Sequence, residues 1–419
     1  MRFVRALLLV VLAGFALAPE AHADGLRLVS SQRLSDRLTE LTLRTDAVAG
    51  DTRVRVLLPA GYRTSHRRYP VLYLLHGALN GEEAWTVQGD AEAITAGLPL
   101  IVVMPDSGQG GGYTDWFNGG AGGPPQWERY HIDQLIPFVD ARYRTIARRG
   151  GRAVAGLSMG GFGAMSYAAR HPDLFVAAAA FSGAVDTNNP LDIAVTGDAP
   201  FGPRATQEIR WRGRNPWDLA ENLRGLRLIV RTGDGEPVGD VVETVVHQMN
   251  VAFHERLQQL GIAHTWDDYG AGTHSWPYWQ RDLRATLPQL MATFRRPPKV
   301  PRSVTFRAVE PAYAVYGWRV AMKRPALEWS ELSRATRRGF TLSGSGRASV
   351  VTPRFFAPGA RVRANGRVLR ADRHGRLHVR ATLGPGNRQQ ALTPGAATPV
   401  RRTVIQLRSA QLNNGSAGR

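Results

Sequence analysis

The sequence predicts an α/β fold with a mostly parallel central sheet, followed by a C-terminal all-β, sandwich-like module. Three observations carry this expectation. Continuous apolar runs alternate with helical segments as far as residue 295, as buried parallel strands and their crossover helices do. One of those strands, Ala153-Val154-Ala155, leads through Gly156-Leu157-Ser158-Met159-Gly160-Gly161 straight into a helical run, Phe162 to His171. Beyond Arg295-Arg296-Pro297-Pro298-Lys299-Val300-Pro301 the apolar period changes to two.

The chain opens with Arg2 and Arg5, the apolar run Ala6 to Leu17 and the small-residue site Ala21-His22-Ala23. This is the pattern of a signal peptide over 1–23, which implies a secreted or envelope-associated product starting near Asp24. Leu26 to Leu58 then suggests two strands, with alternation at Leu38 to Leu43 and Arg53 to Leu58. Pro70 to Leu75, Leu98 to Met104, Arg152 to Ala155, Val176 to Phe181 and Leu226 to Val230 read as sheet strands. Tyr130 to Ala141 and Val241 to Leu260 read as helices between them. The first folded unit is expected over 24–296 and a proline-stiffened linker over 297–302. A β-rich module over 303–408 follows, with strands at Ser303 to Arg307, Ala348 to Thr352, Arg361 to Val368, Arg376 to Leu383 and Thr403 to Arg408. Turns at Asn365-Gly366 and Asp372 to Gly375 separate them. Residues 409–419 read as a disordered tail.

Charge is distributed unevenly. Residues 299–419 hold 23 Lys and Arg against 4 Asp and Glu, so the whole formal excess of +19 lies there. Such a module suits an anionic cell-envelope surface. No nucleic-acid recognition motif is visible, and no nucleic-acid partner is expected. The absence of cysteine excludes disulfides, thiol catalysis and Cys-ligated zinc. Neither a cofactor nor a metal is expected.

Strand, Gly-x-Ser-x-Gly and helix in that order form the nucleophile elbow of an α/β-hydrolase. The sharp turn forces Ser158 into a strained backbone conformation, and side chains at 156 and 160 would collide where the helix packs back on its strand. The Met159 N–H then lies free at a helix N-terminus, where it can hold an oxyanion. The second donor in this fold comes from the loop after the strand ending near residue 75, so the Ala78 N–H in His76-Gly77-Ala78-Leu79 is the candidate. His76 either braces that loop or contacts substrate. The base candidate is His274, in Gly272-Thr273-His274-Ser275-Trp276 just ahead of the last helix, with His264 as its competitor. Asp234, Glu236, Asp240 and Glu243 all stand where the orienting acid belongs, and spacing alone does not choose among them.

These residues also carry a resemblance. Tyr73-Leu74-Leu75-His76-Gly77, Tyr113-Thr114-Asp115-Trp116-Phe117, the Ser158 elbow, His171-Pro172-Asp173-Leu174-Phe175 and Thr273-His274-Ser275-Trp276-Pro277-Tyr278-Trp279 resemble an esterase family of α/β-hydrolases over roughly residues 30–295. That family includes esterase D-type enzymes and the secreted mycolyltransferases of the antigen 85 type. The mycolyltransferase branch implies Glu243 as the acid, because Asn250 and Phe253 follow it at that branch's distances. The branch's Asp-Gly-Leu-Arg loop reads His76-Gly77-Ala78-Leu79 here, so two charged groups that hold a sugar acceptor are missing. The resemblance therefore implies a serine ester hydrolase with a Ser158–Glu243–His274 triad acting on an ester or acyl-lipid, or alternatively an acyltransferase to a sugar or glycerol hydroxyl. Trp116, Trp276 and Tyr278 are expected to line or flank the acyl and leaving-group sites.

Overall fold

The computed structural model describes residues 25–387 and 400–409. The expected signal peptide and residues 410–419 of the expected tail lie outside them. Ser409, assigned to that tail, is instead the last residue of a strand.

Nine strands form one sheet in the order β1-β2-β3-β5-β4-β6-β7-β8-β9. They are β1 (Leu26–Arg33), β2 (Leu38–Thr45), β3 (Asp51–Leu57), β4 (Val71–Leu75), β5 (Ile101–Pro105), β6 (Arg152–Leu157), β7 (Ala177–Phe181), β8 (Arg227–Thr232) and β9 (His264–Asp268). The pairs β1–β2, β2–β3 and β3–β5 are antiparallel, and the other five are parallel. Three strands thus occupy the stretch where alternation suggested two. The unforeseen one, β1, buries only Leu26 fully; as an edge strand it has little to alternate against.

The apolar runs are continuous because both faces of the sheet are covered. Val71, Tyr73 and Leu75 of β4 enter one core, and Leu72 and Leu74 enter the other. In β7, Ala178 and Ala180 face the first core, while Ala177, Ala179 and Phe181 face the second. The helices Met159–Arg170 and Val241–Gln259 contribute Ala164, Met165, Met249 and Phe253 to the first core. The helix Trp276–Arg295 packs Trp279, Leu283, Leu287 and Leu290 into the second. The helix expected at Tyr130 to Ala141 begins as a π-helical stretch, Arg129–Leu135, and continues as α over Ile136–Arg142.

After an irregular stretch around Pro297–Pro301, ten strands form two antiparallel sheets. One has the order β10-β13-β14-β19-β16-β17, from Val304–Ala308, Ser330–Thr336, Gly339–Gly344, Arg401–Ser409, Arg361–Ala364 and Arg367–Arg370. The other is β11-β12-β15-β18, from Ala312–Val315, Trp318–Lys323, Arg347–Val351 and His378–Thr382. Phe306, Leu332, Leu342 and Leu407 of the first sheet share one core with Trp318, Val320, Val350 and Val379 of the second. This part is tied to the α/β part by polar contacts. Arg170 Nε meets Glu128 at 2.8 Å, and its Nη1 meets Glu310 at 2.7 Å. Asn222 and Arg307 exchange two hydrogen bonds of 2.9 Å, and the Tyr316 N–H donates to Asp173 at 3.0 Å.

Candidate active site

The site begins where β6 ends. Gly156 pairs with Leu75 of β4 and Leu157 with Phe181 of β7, so the next residue emerges between two parallel neighbours. There Ser158 adopts φ 52°, ψ −120°, a conformation side chains rarely tolerate. Its carbonyl accepts from the N–H groups of Gly161 and Phe162, which starts the helix at once. A Cβ on Gly156 would sit 2.3 Å from the Gly160 carbonyl oxygen, and one on Gly160 would sit 2.5 Å from the carbonyl oxygens of both Leu75 and His76. These backbone contacts are why both positions are glycine.

Three side chains from distant segments join in a line. Ser158 Oγ lies 2.9 Å from His274 Nε2, and His274 Nδ1 lies 2.8 Å from Glu243 Oε2. Glu243 is fully buried, and its other oxygen accepts from Ser182 Oγ at 2.7 Å, Gly233 N–H at 2.8 Å and Thr232 Oγ1 at 3.2 Å. A carboxylate so supplied with donors is held in one orientation, with Oε2 left to accept from His274. The imidazole must then carry its proton on Nδ1 and turn a lone pair on Nε2 toward Ser158.

The competing carboxylates fall into place around this line. Asp240 touches the histidine only through the backbone: Oδ2 accepts from the His274 N–H at 2.8 Å. Its Oδ1 caps the Val241–Gln259 helix, accepting from the N–H groups of Val242 at 3.0 Å and Glu243 at 3.1 Å. Some burial opposes its charge, but these three N–H bonds and the nearby imidazole hold its carboxyl below the usual range. Asp234 accepts from the Glu236 N–H in a local turn. His264 lies on β9, with its ring nitrogens against His254 at 2.7 Å and the Ile262 carbonyl at 2.8 Å.

The amides of Met159 and Ala78 find no acceptor among the described residues, and both residues line a cavity of about 380 Å³ that opens at Ser158. Phe162, Phe201, Val245, Val246 and Met249 make its wall apolar. Asp192 stands among them with one long contact, 3.4 Å, to Thr196, and burial pushes its carboxyl up to about 7.

The side chains expected at the substrate have these surroundings. His76 is 1% exposed, and both ring nitrogens are engaged. The Ser107 N–H donates to Nε2 at 3.0 Å, so Nδ1–H donates to the Gly77 carbonyl at 2.7 Å. Burial lowers its pKa and keeps it neutral, which suits that donor and acceptor pattern; it braces the loop. Trp116 donates Nε1–H to the Gly111 carbonyl at 2.9 Å and packs against the first core. Trp276 packs edge-on against Trp85 and Trp279, behind the histidine loop. Tyr278 stacks on Tyr269. The sequence reading missed Ser182 and Thr232, which hold Glu243, and the cavity wall. Only their polar character at the end of two apolar strands, Thr232 closing β8 and Ser182 following β7, could have flagged the first two.

Comparison with known proteins adds the family. Residues 45–290 match the family described as "Putative esterase". Esterase Rv1288 of Mycobacterium tuberculosis is 36% identical over 257 residues, covering 57% of this chain and 56% of that protein. The chain therefore spans about half the length of such relatives. Diacylglycerol acyltransferase/mycolyltransferase Ag85B of Mycolicibacterium smegmatis is 29% identical over 265 residues, covering 57% of this chain and 80% of that one. Among solved structures, the S-formylglutathione hydrolase from Agrobacterium tumefaciens superposes with TM-score 0.54 at 19% identity, covering 63% of this chain and 98% of that one. Mycobacterium tuberculosis MPT51 (FbpC1) does so with TM-score 0.52 at 21% identity, covering 64% and 100%. The two structures speak for the fold, an α/β-hydrolase-like one. With the family match running over more than half its length, the chain belongs to this esterase family.

Proposed function

We propose that this protein is a serine ester hydrolase that works through an acyl-enzyme on Ser158. The observation that carries this reading is the unbroken line from Ser158 through His274 to Glu243 at the mouth of an apolar cavity. Ser158 Oγ attacks the ester carbonyl carbon as its proton passes to His274 Nε2. The carbonyl oxygen becomes an oxyanion held by the free N–H groups of Met159 and Ala78. The bond to the alcohol then breaks, and the alcohol leaves with the proton from Nε2. Water repeats the sequence and releases the acid. Glu243 fixes the tautomer and balances the imidazolium, while Asp240 positions the loop that carries His274. Ser158→Ala should abolish p-nitrophenyl ester turnover; retained turnover would sink the mechanism.

The second reading lets a sugar or glycerol hydroxyl replace water. The likeness to a mycolyltransferase favours it. The neutral His76-Gly77-Ala78-Leu79 loop offers a polar acceptor no charged side chain, which favours hydrolysis. Product partition between acid and glyceride in added glycerol separates the two. We further read the protein as secreted through residues 1–23, with an α/β unit over 24–296 and a β-sandwich over 303–408. Among the described residues no helix is long and apolar enough to cross a membrane.

A further inference from the structure

The outer face of β17, β16 and β19 collects arginines. Arg361 lies directly opposite Arg370, and Arg363 lies directly opposite both Arg408 and Val368. The alternation of β19 brings Arg402, Val404 and Gln406 onto the same face as Arg408, while Ile405 and Leu407 point into the core. Like charges directly opposite one another destabilise a sheet. No salt bridge relieves these five arginines among the described residues.

The carboxylates that could relieve them are committed elsewhere. Glu310 faces Arg170 and Arg214, Glu328 faces Arg324, and Asp372 faces His378. Glu331 shares the face, but it lies two strands from Arg402, across Ser343. A folded face that keeps five guanidinium groups together without a carboxylate partner is complementary to an external array of anions, which arginine binds through its planar fork.

Two aliphatic side chains decide the kind of array. Val368 and Val404 are 40% and 50% exposed among the arginines. A soluble polyanion gains nothing from them, whereas an interface that offers phosphate above and hydrocarbon below satisfies both groups. The outer face of β12, β15 and β18 is also basic, with Arg319, Lys323, Arg347 and Arg380, but among them stand Ala321, Ser349 and a half-buried Val351 rather than exposed valines. We propose that the β16–β17–β19 face docks the protein on an anionic phospholipid surface. This face lies beyond residue 290, where the family match ends, and the proposal is independent of the ester chemistry.

Sedimentation of the full chain with phosphatidylcholine vesicles, with and without phosphatidylglycerol, tests it. The protein should bind only the anionic vesicles and release at high salt. Each arginine near such a surface contributes about fivefold, so R361Q/R363Q/R408Q should weaken binding by about 100-fold. R319Q/R347Q/R380Q removes the same charge and should cost far less. V368S/V404S should weaken vesicle binding and leave retention on polyphosphate unchanged. Equal losses in the two arginine triples would overturn the assignment, as would binding to neutral vesicles. So would vesicle binding unaffected by V368S/V404S, which would make this a site for soluble polyanions. Unchanged melting curves show that all variants are folded, and a failed ester assay would leave the vesicle result standing.

Discussion

Replacing Glu243 by glutamine tests the orientation of His274 with little change in volume. Glu243 Oε1 takes donors from Ser182, Gly233 and Thr232, so the glutamine carbonyl oxygen must stay on that side. The new NH₂ group then faces His274 Nδ1, 2.8 Å away in the parent. Two donors cannot share that contact. The imidazole shifts its proton to Nε2 and presents N–H, rather than a lone pair, to Ser158. Loss of the correct tautomer in such a triad costs about 10⁴ in kcat, about 5.5 kcal/mol. Coulomb attraction alone leads to a similar magnitude: a carboxylate about 4 Å from an imidazolium, at an effective dielectric of about 20, contributes about 4 kcal/mol, or about 10³. Asp240→Asn differs in kind, because Asp240 meets only backbone N–H groups. Its loss of one cap or anchor bond costs about 1–2 kcal/mol, roughly tenfold in rate. Single-turnover acylation by a p-nitrophenyl ester should rank Glu243→Gln at least 100-fold below Asp240→Asn. The reverse order would make Asp240 the acid and refute the reasoning.

Other perturbations probe the frame around the site. Gly160→Ala would drive a Cβ against two backbone carbonyls and should cost about 3 kcal/mol, read as a lowered thermal midpoint; an unchanged midpoint would contradict the packing account of the elbow. Asp192 has its carboxyl raised to about 7, so the cavity becomes charged as pH rises through that value. KM for an apolar acyl ester should rise above pH 7, and Asp192→Asn should flatten that rise. The same raised pKa means this group costs stability as pH rises from about 4 to 7, and its asparagine variant should not show that loss. Arg170→Met would leave Glu128 and Glu310 without their shared guanidinium and should destabilise by about 3–5 kcal/mol in urea titration. Arg170 and His171 hold the buried Glu128 carboxyl far below its usual range, so their contribution is present at neutral pH and lost only in acid.

Local signals were the legible ones. The strands from β4 to β8 stand out because burial on both faces makes their sequences continuously apolar. Ser158 and its glycines stand out because one tight turn sets all of their residue types. The choice among Asp234, Asp240 and Glu243 was not legible from spacing, because it depends on how the Val241–Gln259 helix is rotated against β8. Asp240 turned out to serve the same histidine through its backbone. The cavity wall was invisible for a similar reason: Phe162, Phe201 and Val245 come from three separate segments. Aromatic residues beside the motifs also carry packing: Trp116 lies against the first core, and Trp276 against Trp85 and Trp279. The Tyr113-Thr114-Asp115 segment is held by hydrogen bonds. Tyr113 donates to the His76 carbonyl, Thr114 accepts from Arg214, and Asp115 accepts from the Arg129 N–H. Strands β11, β13 and β14 escaped notice because Gly, Ser and Ala weaken their apolar alternation, whereas β12 alternates as a legible strand does.

The most direct test is to quench the protein with acid during turnover of a slowly hydrolysed p-nitrophenyl ester and to map the adduct by peptide mass spectrometry. The account predicts one acyl group, on the peptide containing Ser158, formed at the rate of nitrophenol release and absent from Ser158→Ala. Nitrophenol release with no acyl adduct, or an adduct on another residue, would contradict it.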